Sequence, residues 1–232
     1  MNKTQLSALT LGLALAVSGS AASASAFYFE DNTSPVSIPS VSTYVTTGAM
    51  MDGMKVTAIF DNFSETLVWA DTGATSGGVT GTDWSLSLSG NSFENAWSFS
   101  NTDTGRVLTA LILDGNDNFT LFDRTFGGAF GTPNSARGKD FSITGDSGTY
   151  DYIVTYINPV GIGAAAPVGD EFQMVRVDFD PSYAARSFLF YQDTDNDTRC
   201  PDCNPTIPEP SSIALLGLGL LGFAAMRRRK PN

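Results

Sequence analysis

The sequence predicts an all-β protein whose body folds as a single antiparallel β-sandwich, jelly-roll-like in outline. Three observations favour this fold class. Between residues 27 and 199, short runs alternate apolar and polar side chains, and no apolar stripe of helical period runs through them. Clusters of Gly, Asn and Asp separate these runs, as turns do. Three Trp and 16 Phe residues can fill a core between two sheets.

The strands are expected in close succession along the body. Residues 56–60 and 66–69 should form a hairpin around a turn at 61–64. The run 107–113 is apolar at every position except Thr109, which is typical of a strand buried on both faces. We interpret the acidic segment 114–118 as a hairpin turn. The other predicted strands cover residues 84–88, 96–100, 119–122, 141–144, 150–157, 171–179 and 187–191.

The composition excludes several classes of function. The net charge is −11, and the segment between the leader and the sorting tail holds only eight of the basic residues against 23 acidic ones. Nucleic acid binding is therefore not expected, because a phosphate backbone requires clustered Lys and Arg. The chain has no His, which excludes Ser-His-Asp and Cys-His catalysis and the usual zinc sites. A glycosidase needs only two carboxylates, and the sequence selects no pair. We therefore predict no catalytic residues and no enzymatic activity.

The first residues have the pattern of a secretory signal peptide. Lys3 provides a positive start, and residues 6–17 form an uncharged apolar run. Ala24 and Ala26 flank Ser25 in an A-x-A cleavage site, so the mature chain should begin at Phe27. The alternative is an N-terminal anchor helix that is retained, although the apolar run is short for a membrane span.

The C-terminal tail has three parts in a fixed order. The tripeptide Pro208-Glu209-Pro210 is followed by 14 apolar residues at 213–226 and then by a basic cluster, Arg227, Arg228, Arg229 and Lys230. As a helix the apolar segment would rise about 21 Å, which is short of a hydrocarbon core of about 30 Å. The long basic side chains can reach the headgroups and would hold the C-terminus in the cytoplasm. We predict a short transmembrane helix.

This tail, residues 207–230, resembles the PEP-CTERM sorting signal of Gram-negative, exopolysaccharide-producing bacteria. The resemblance implies that an exosortase binds Pro208-Glu209-Pro210 at the inner membrane and cleaves nearby. It also implies that the anchor is temporary and that the body passes to the cell surface or the extracellular matrix. Residues 131–139 and 193–196 are loosely similar to segments of uncharacterised PEP-CTERM exoproteins, which brings no known activity.

A candidate calcium site lies near the end of the body. Asp193, Asp195 and Asp197 alternate with other residues, and hard oxygen donors at this spacing begin many calcium loops. A complete EF-hand loop would have Gly and Glu where this chain has Thr198 and Asn204. The alternative is a solvated acidic linker that binds no ion. Calcium is the one cofactor that the sequence suggests.

A C-x-x-C motif, Cys200 to Cys203, follows the body directly. A zinc site would need two more ligands, and the chain has neither another Cys nor a His. We predict a small local disulfide, as expected in an oxidising compartment, rather than a redox-active pair. The predicted organisation is a signal peptide at 1–26, the β-sandwich at 27–199, a linker at 200–207 and the sorting tail at 208–232.

The sequence leaves three alternative functions for the body. The first is a structural or adhesive role at the cell surface or in the matrix, without catalysis. The second is a calcium-assisted module that binds exopolysaccharide through Trp69, Trp84 and Trp97. The strand phase of Trp84 and Trp97 favours burial in the core instead. The third is a hydrolase that acts on the matrix through two carboxylates.

Overall fold

A computed structural model of the chain forms two packed β-sheets. It describes residues 25–43, 45–103, 105–124, 138–144, 151–180 and 187–199. Residues 1–24 and 200–232, which hold most of the predicted signal peptide and all of the linker and sorting tail, lie outside the described residues. No helix within those described ranges has the length and apolarity needed to cross a membrane.

Within these ranges the elements are strands, apart from one short 3-10 helix at Gly48–Met51. In chain order the strands are β1 (Ser25–Asp31), β2 (Val36–Ile38), β3 (Val41–Thr43), β4 (Lys55–Phe60), β5 (Ser64–Val68), β6 (Ala70–Gly73), β7 (Ser76–Thr80), β8 (Trp84–Ser89), β9 (Trp97–Asn101), β10 (Leu108–Asp114), β11 (Thr120–Asp123), β12 (Ser142–Thr144), β13 (Asp151–Ile162), β14 (Glu171–Phe179), β15 (Ser187–Tyr191) and β16 (Asp193–Asp197). The all-β prediction is therefore confirmed for the body.

Strand β14 is the centre of the larger, ten-stranded sheet. Strand β13 pairs with one edge of β14, and β10 and β11 share the other edge. From there the sheet continues through β4 and β5 beyond β10, and through β16 and β3 beyond β11. Strands β1 and β2 pair with β13 in parallel, which departs from the purely antiparallel prediction. Parallel partners need a long connection, and most of the body separates β1 from β13 in the chain.

The smaller sheet has six antiparallel strands in the order β12-β15-β9-β8-β7-β6. Alternate side chains of its strands enter the core. There Trp97 stacks on Phe190 with ring centroids 5.6 Å apart, and Phe99 stacks on Phe188 with ring centroids 5.1 Å apart. The three Trp side chains, Trp69, Trp84 and Trp97, are at most 2% exposed. Their expected place in the core is confirmed, and they cannot form a carbohydrate-binding face.

The interpretation of residues 114–118 as a hairpin turn is wrong. Strands β10 and β11 do not pair with each other, because both pair antiparallel with β14, one after the other along the same edge. The Gly115 N–H still donates to the Gln173 carbonyl at 2.9 Å, and the ladder resumes where Phe122 faces Phe172. Residues 116–121 thus leave the edge of β14 and return to it further along. Strands β10 and β11 run in the same direction, so the chain does not reverse here.

Candidate metal centre

Three carboxylates meet where β11, β14 and β16 run side by side. Asp123 ends β11, Glu171 begins β14 and Asp195 lies in the middle of β16. In the ladder, Asp123 is opposite Glu171 on one side and opposite Asp193 on the other. One carboxylate oxygen from each of Asp123, Glu171 and Asp195 lies within 4.8 Å of the other two. We call these three residues the carboxylate cluster.

The strand pattern explains which side of the sheet carries the cluster. Phe122 and Phe172 are opposite each other and pack into the core between the two sheets. Successive side chains point to opposite faces of a strand, so Asp123 and Glu171 lie on the outer face of the ten-stranded sheet. A second apolar group covers part of that face and consists of Ile38, Leu121, Val160 and Ile162. The cluster is therefore enclosed although it lies outside the main core.

Burial of the cluster is almost complete. Asp123 and Asp195 are each 1% exposed, and Glu171 is fully buried. Neither oxygen of Asp123 or Asp195 receives a hydrogen bond from an N–H or O–H donor in the described part of the chain. A Cβ on Gly138 would lie only 2.2 Å from Asp123 Oδ1, so the backbone closes tightly over this carboxylate.

Electrostatics within the cluster are unfavourable for three negative charges. Burial raises the pKa of Asp123 to about 11, and repulsion from Glu171, Asp195, Asp193 and Asp170 adds to the shift. Burial also raises the pKa of Asp195 well above its usual range, with Glu171 as the next cause. Buried carboxylates become tolerable only when protons or a cation neutralise them.

The donor set fits a hard divalent cation. All three ligands are carboxylates, and calcium prefers oxygen ligands at about 2.3–2.6 Å. Two oxygens on opposite sides of such an ion are about 4.8 Å apart, twice a metal–oxygen distance near 2.4 Å. The three carboxylate oxygens lie within 4.8 Å of one another, so they are close enough to share one ion. Magnesium needs shorter distances in a strict octahedron and usually keeps several waters, so the cluster suits calcium better.

The three aspartates of the predicted calcium loop lie on one strand but have different surroundings. All five residues of β16 are buried, so these aspartates form neither a loop nor a solvated linker. Asp193 accepts hydrogen bonds from Ser92 Oγ at 2.9 Å and from the Thr194 N–H at 2.8 Å. Asp197 accepts one from Arg199 Nε at 2.6 Å. Only Asp195 joins the carboxylate cluster.

Sequence reasoning missed the other two members of the cluster. Asp123 directly follows the predicted strand 119–122, and Glu171 is the first residue of the predicted strand 171–179. An acidic residue at the end of an apolar strand was the available signal. Nothing local indicates that these two strand ends meet each other and Asp195.

Several predicted sites lie outside the described residues or at their margin. Cys200, Cys203 and the sorting motif are outside, as is Ala24. Ala26 lies in β1 opposite Tyr152 and packs partly buried against the core. Strand β1 thus begins before Phe27, the predicted first residue of the mature chain.

Comparison with known proteins identifies the tail. Residues 206–230 match the family model of the PEP-CTERM protein-sorting motif, which confirms the resemblance of the tail. No curated protein and no solved structure matches the chain. The motif implies that the protein is exported and that a membrane-associated exosortase processes it.

Proposed function

We propose that this chain is an exosortase-sorted protein that has a structural or adhesive role at the cell surface or in the extracellular matrix and catalyses no reaction. The observation that carries the proposal is the sorting motif at residues 206–230. A protein released from its membrane anchor after export would act through its folded body alone. The described body is a two-sheet sandwich with an aromatic core.

The position of β16 supports a removable tail. This last described strand lies inside the larger sheet, between β11 and β3. Its final residue, Asp197, is opposite Val41 and is 1% exposed. The tail therefore follows a strand that is already paired on both edges. Cleavage near residues 208–210 would leave every described strand in place.

The burial of the carboxylate cluster supports a role without catalysis. A glycosidase places its two carboxyl groups on either side of the scissile bond, where substrate can reach them. Asp123, Glu171 and Asp195 are instead enclosed, with at most 1% exposure. The absence of His from the whole chain removes the most common general base.

Burial of Trp69, Trp84 and Trp97 removes the rings on which the polysaccharide-binding alternative relied. Contact with exopolysaccharide therefore stays a prediction that follows only from the expected matrix setting. The matrix hydrolase is the weakest of the three, because substrate cannot reach the carboxylate cluster.

The sorting part of the proposal is tested by changing the motif in the producing cells. Cells expressing the full chain are compared with cells expressing Pro208→Ala/Glu209→Ala/Pro210→Ala, and Asn204→Ala is the matched control just outside the motif. We expect the wild-type chain and the control to appear shortened at the surface or in the medium. The triple variant should remain full-length in the inner membrane fraction. Identical distribution of all three chains would refute exosortase sorting.

The role of the body is tested separately. A strain that lacks the protein should lose surface adhesion or matrix cohesion, and the wild-type chain should restore it. The triple variant, retained at the inner membrane, should not. Undiminished adhesion and cohesion in the deletion strain would contradict a structural or adhesive role while leaving the sorting result intact.

A further inference from the structure

We propose that Asp123, Glu171 and Asp195 bind one calcium ion that ties strands β11, β14 and β16 together. This site differs from a calcium loop because its three ligands come from three strands that are far apart in the sequence. It also stands independently of the sorting tail, because every residue that carries it lies in the body.

The geometry of the ligands fits a single bound ion. Three carboxylate oxygens from separate strands lie within 4.8 Å of one another, which leaves room for one ion between them. Asp123 and Glu171 are fixed by direct pairing of their strands. Asp195 is fixed by the pairing of β16 with β11, where it is opposite Leu121. The ligands are thus preorganised by the sheet, which lowers the cost of assembling them around an ion.

Two of the ligands, Asp123 and Asp195, are almost completely buried without an N–H, hydroxyl or cationic partner among the described residues. Asp123 and Asp195 are 1% exposed and receive no hydrogen bond from a donor among the described residues. Within the same ranges, no Lys or Arg forms an ion pair with either of them. Proteins rarely bury polar atoms in this way without a ligand, water or ion to satisfy them. Their oxygens face the same small space as Glu171.

The chemistry of the ligands selects the kind of ion. The cluster offers oxygen ligands only, which excludes the soft thiolate sites of zinc and copper. Three carboxylates carry more negative charge than one divalent ion neutralises, which favours a strongly attracted hard cation. Calcium accepts irregular coordination of six to eight oxygens and can complete its shell with carbonyl groups or water. Magnesium would need a tighter octahedron than strand-bound carboxylates readily form.

Binding should also change the stability of the body. An ion that binds only the folded state stabilises it by mass action. Calcium would replace repulsion among Asp123, Glu171 and Asp195 by attraction to a shared charge. Because β11 and β16 connect the centre of the larger sheet to β3, the ion would stabilise this half of the sheet in particular.

The test uses the full chain, purified in mild detergent and stripped with a chelator. Equilibrium dialysis measures calcium per chain, and thermal unfolding is followed with and without calcium or magnesium. We expect one calcium ion per chain, at least tenfold weaker magnesium binding and a rise in Tm of roughly 5 °C or more with calcium. The absence of saturable calcium binding, or binding that leaves Tm unchanged, overturns the proposal.

Single variants locate the site. Asp123→Asn and Asp195→Asn keep the shape of the side chain and remove its charge, so both should fold and lose at least about tenfold in calcium affinity. Asp197→Asn is the matched control, because Asp197 is an equally buried aspartate on the same strand that pairs with Arg199 instead. Loss of binding in Asp197→Asn together with retention in Asp123→Asn would place calcium at the aspartate run 193–197 and refute the three-strand site.

Discussion

Asp123 and Glu171 lie directly opposite each other on adjacent antiparallel strands, and both side chains are buried. Like charges at opposed positions of a sheet repel each other, and a buried environment strengthens that repulsion. Asp195 approaches the same point from a third strand. The body therefore contains a place where its own sheet pairing is unfavourable until protons or a cation neutralise the carboxylates.

The calcium-free protein should lose stability as the pH rises. Burial raises the pKa of Asp193 to about 7 and that of Asp123 to about 11, while Ser92, Thr194 and Lys139 oppose the shift of Asp193. A raised pKa contributes stability that is complete below the ordinary aspartate pKa near 4 and is lost as pH rises through the folded-state value. In chelator, the free energy of unfolding measured by urea should decline from pH 4 through pH 8.

Calcium should reduce this decline, because the ion takes the place of the protons. Asp123→Asn should flatten it even in chelator, since one titrating group is removed. A stability that is constant or rising over this pH range in the wild-type chain, without calcium, would contradict the expected charge repulsion.

Replacing Trp69 by Phe should destabilise the body more than the same change at Trp84. Trp69 Nε1 donates to the Gly48 carbonyl at 2.7 Å, and both residues are buried. Trp84 Nε1 donates at 2.7 Å to Glu65, a half-buried carboxylate that water can reach. We expect Trp69→Phe to cost about 2–4 kcal/mol and Trp84→Phe about 1–2 kcal/mol in urea unfolding. Equal losses would show that the Gly48 hydrogen bond is unimportant.

Removal of the Tyr156 hydroxyl should disrupt a buried network that reaches the carboxylate cluster. The hydroxyl donates to Gln192 Oε1 and accepts from the Phe141 N–H, each at 2.9 Å. Gln192 in turn donates to the backbone carbonyl of Asp123 at 3.2 Å. Tyr156→Phe leaves buried groups without partners and should lower the free energy of unfolding by about 2–3 kcal/mol.

Tyr28→Phe is the control for this network, because Tyr28 donates to the Phe141 carbonyl from a more exposed position. Water can replace its hydroxyl as a donor, so the free energy of unfolding in urea should fall by less than about 1 kcal/mol. A larger effect at Tyr28 than at Tyr156 would contradict the assignment of the buried network.

Gly115→Ala should disrupt the point where β10 leaves the edge of β14. A Cβ at Gly115 would lie 2.0 Å from the Thr120 carbonyl oxygen, and a backbone atom cannot move aside cheaply. We expect the free energy of unfolding, measured by heat or urea, to fall by about 1–3 kcal/mol. Gly73→Ala is the control, because the nearest atom to its Cβ would be 3.9 Å away, and it should stay within about 0.5 kcal/mol.

Much of the strand pattern could be predicted from local sequence. Strands β14 and β15 begin and end at the predicted residues, and the hairpin of β4 and β5 forms where its alternation indicated. The order of Pro208-Glu209-Pro210, apolar segment and basic cluster identified the sorting tail, which the family match confirms. These features are readable because their signals lie within a few neighbouring residues.

Pairing between strands was decided only by the tertiary structure. Alternation along a strand tells which side chains share a face, but it does not say which strand lies next to it. The sequence therefore determined the sorting tail, most strands and the burial of Trp84 and Trp97. The folded chain decided that β10 and β11 share one edge of β14 and that Asp195 joins Asp123 and Glu171. Such contacts join distant segments through packing of the whole sheet, for which no local run of residues carries a signal.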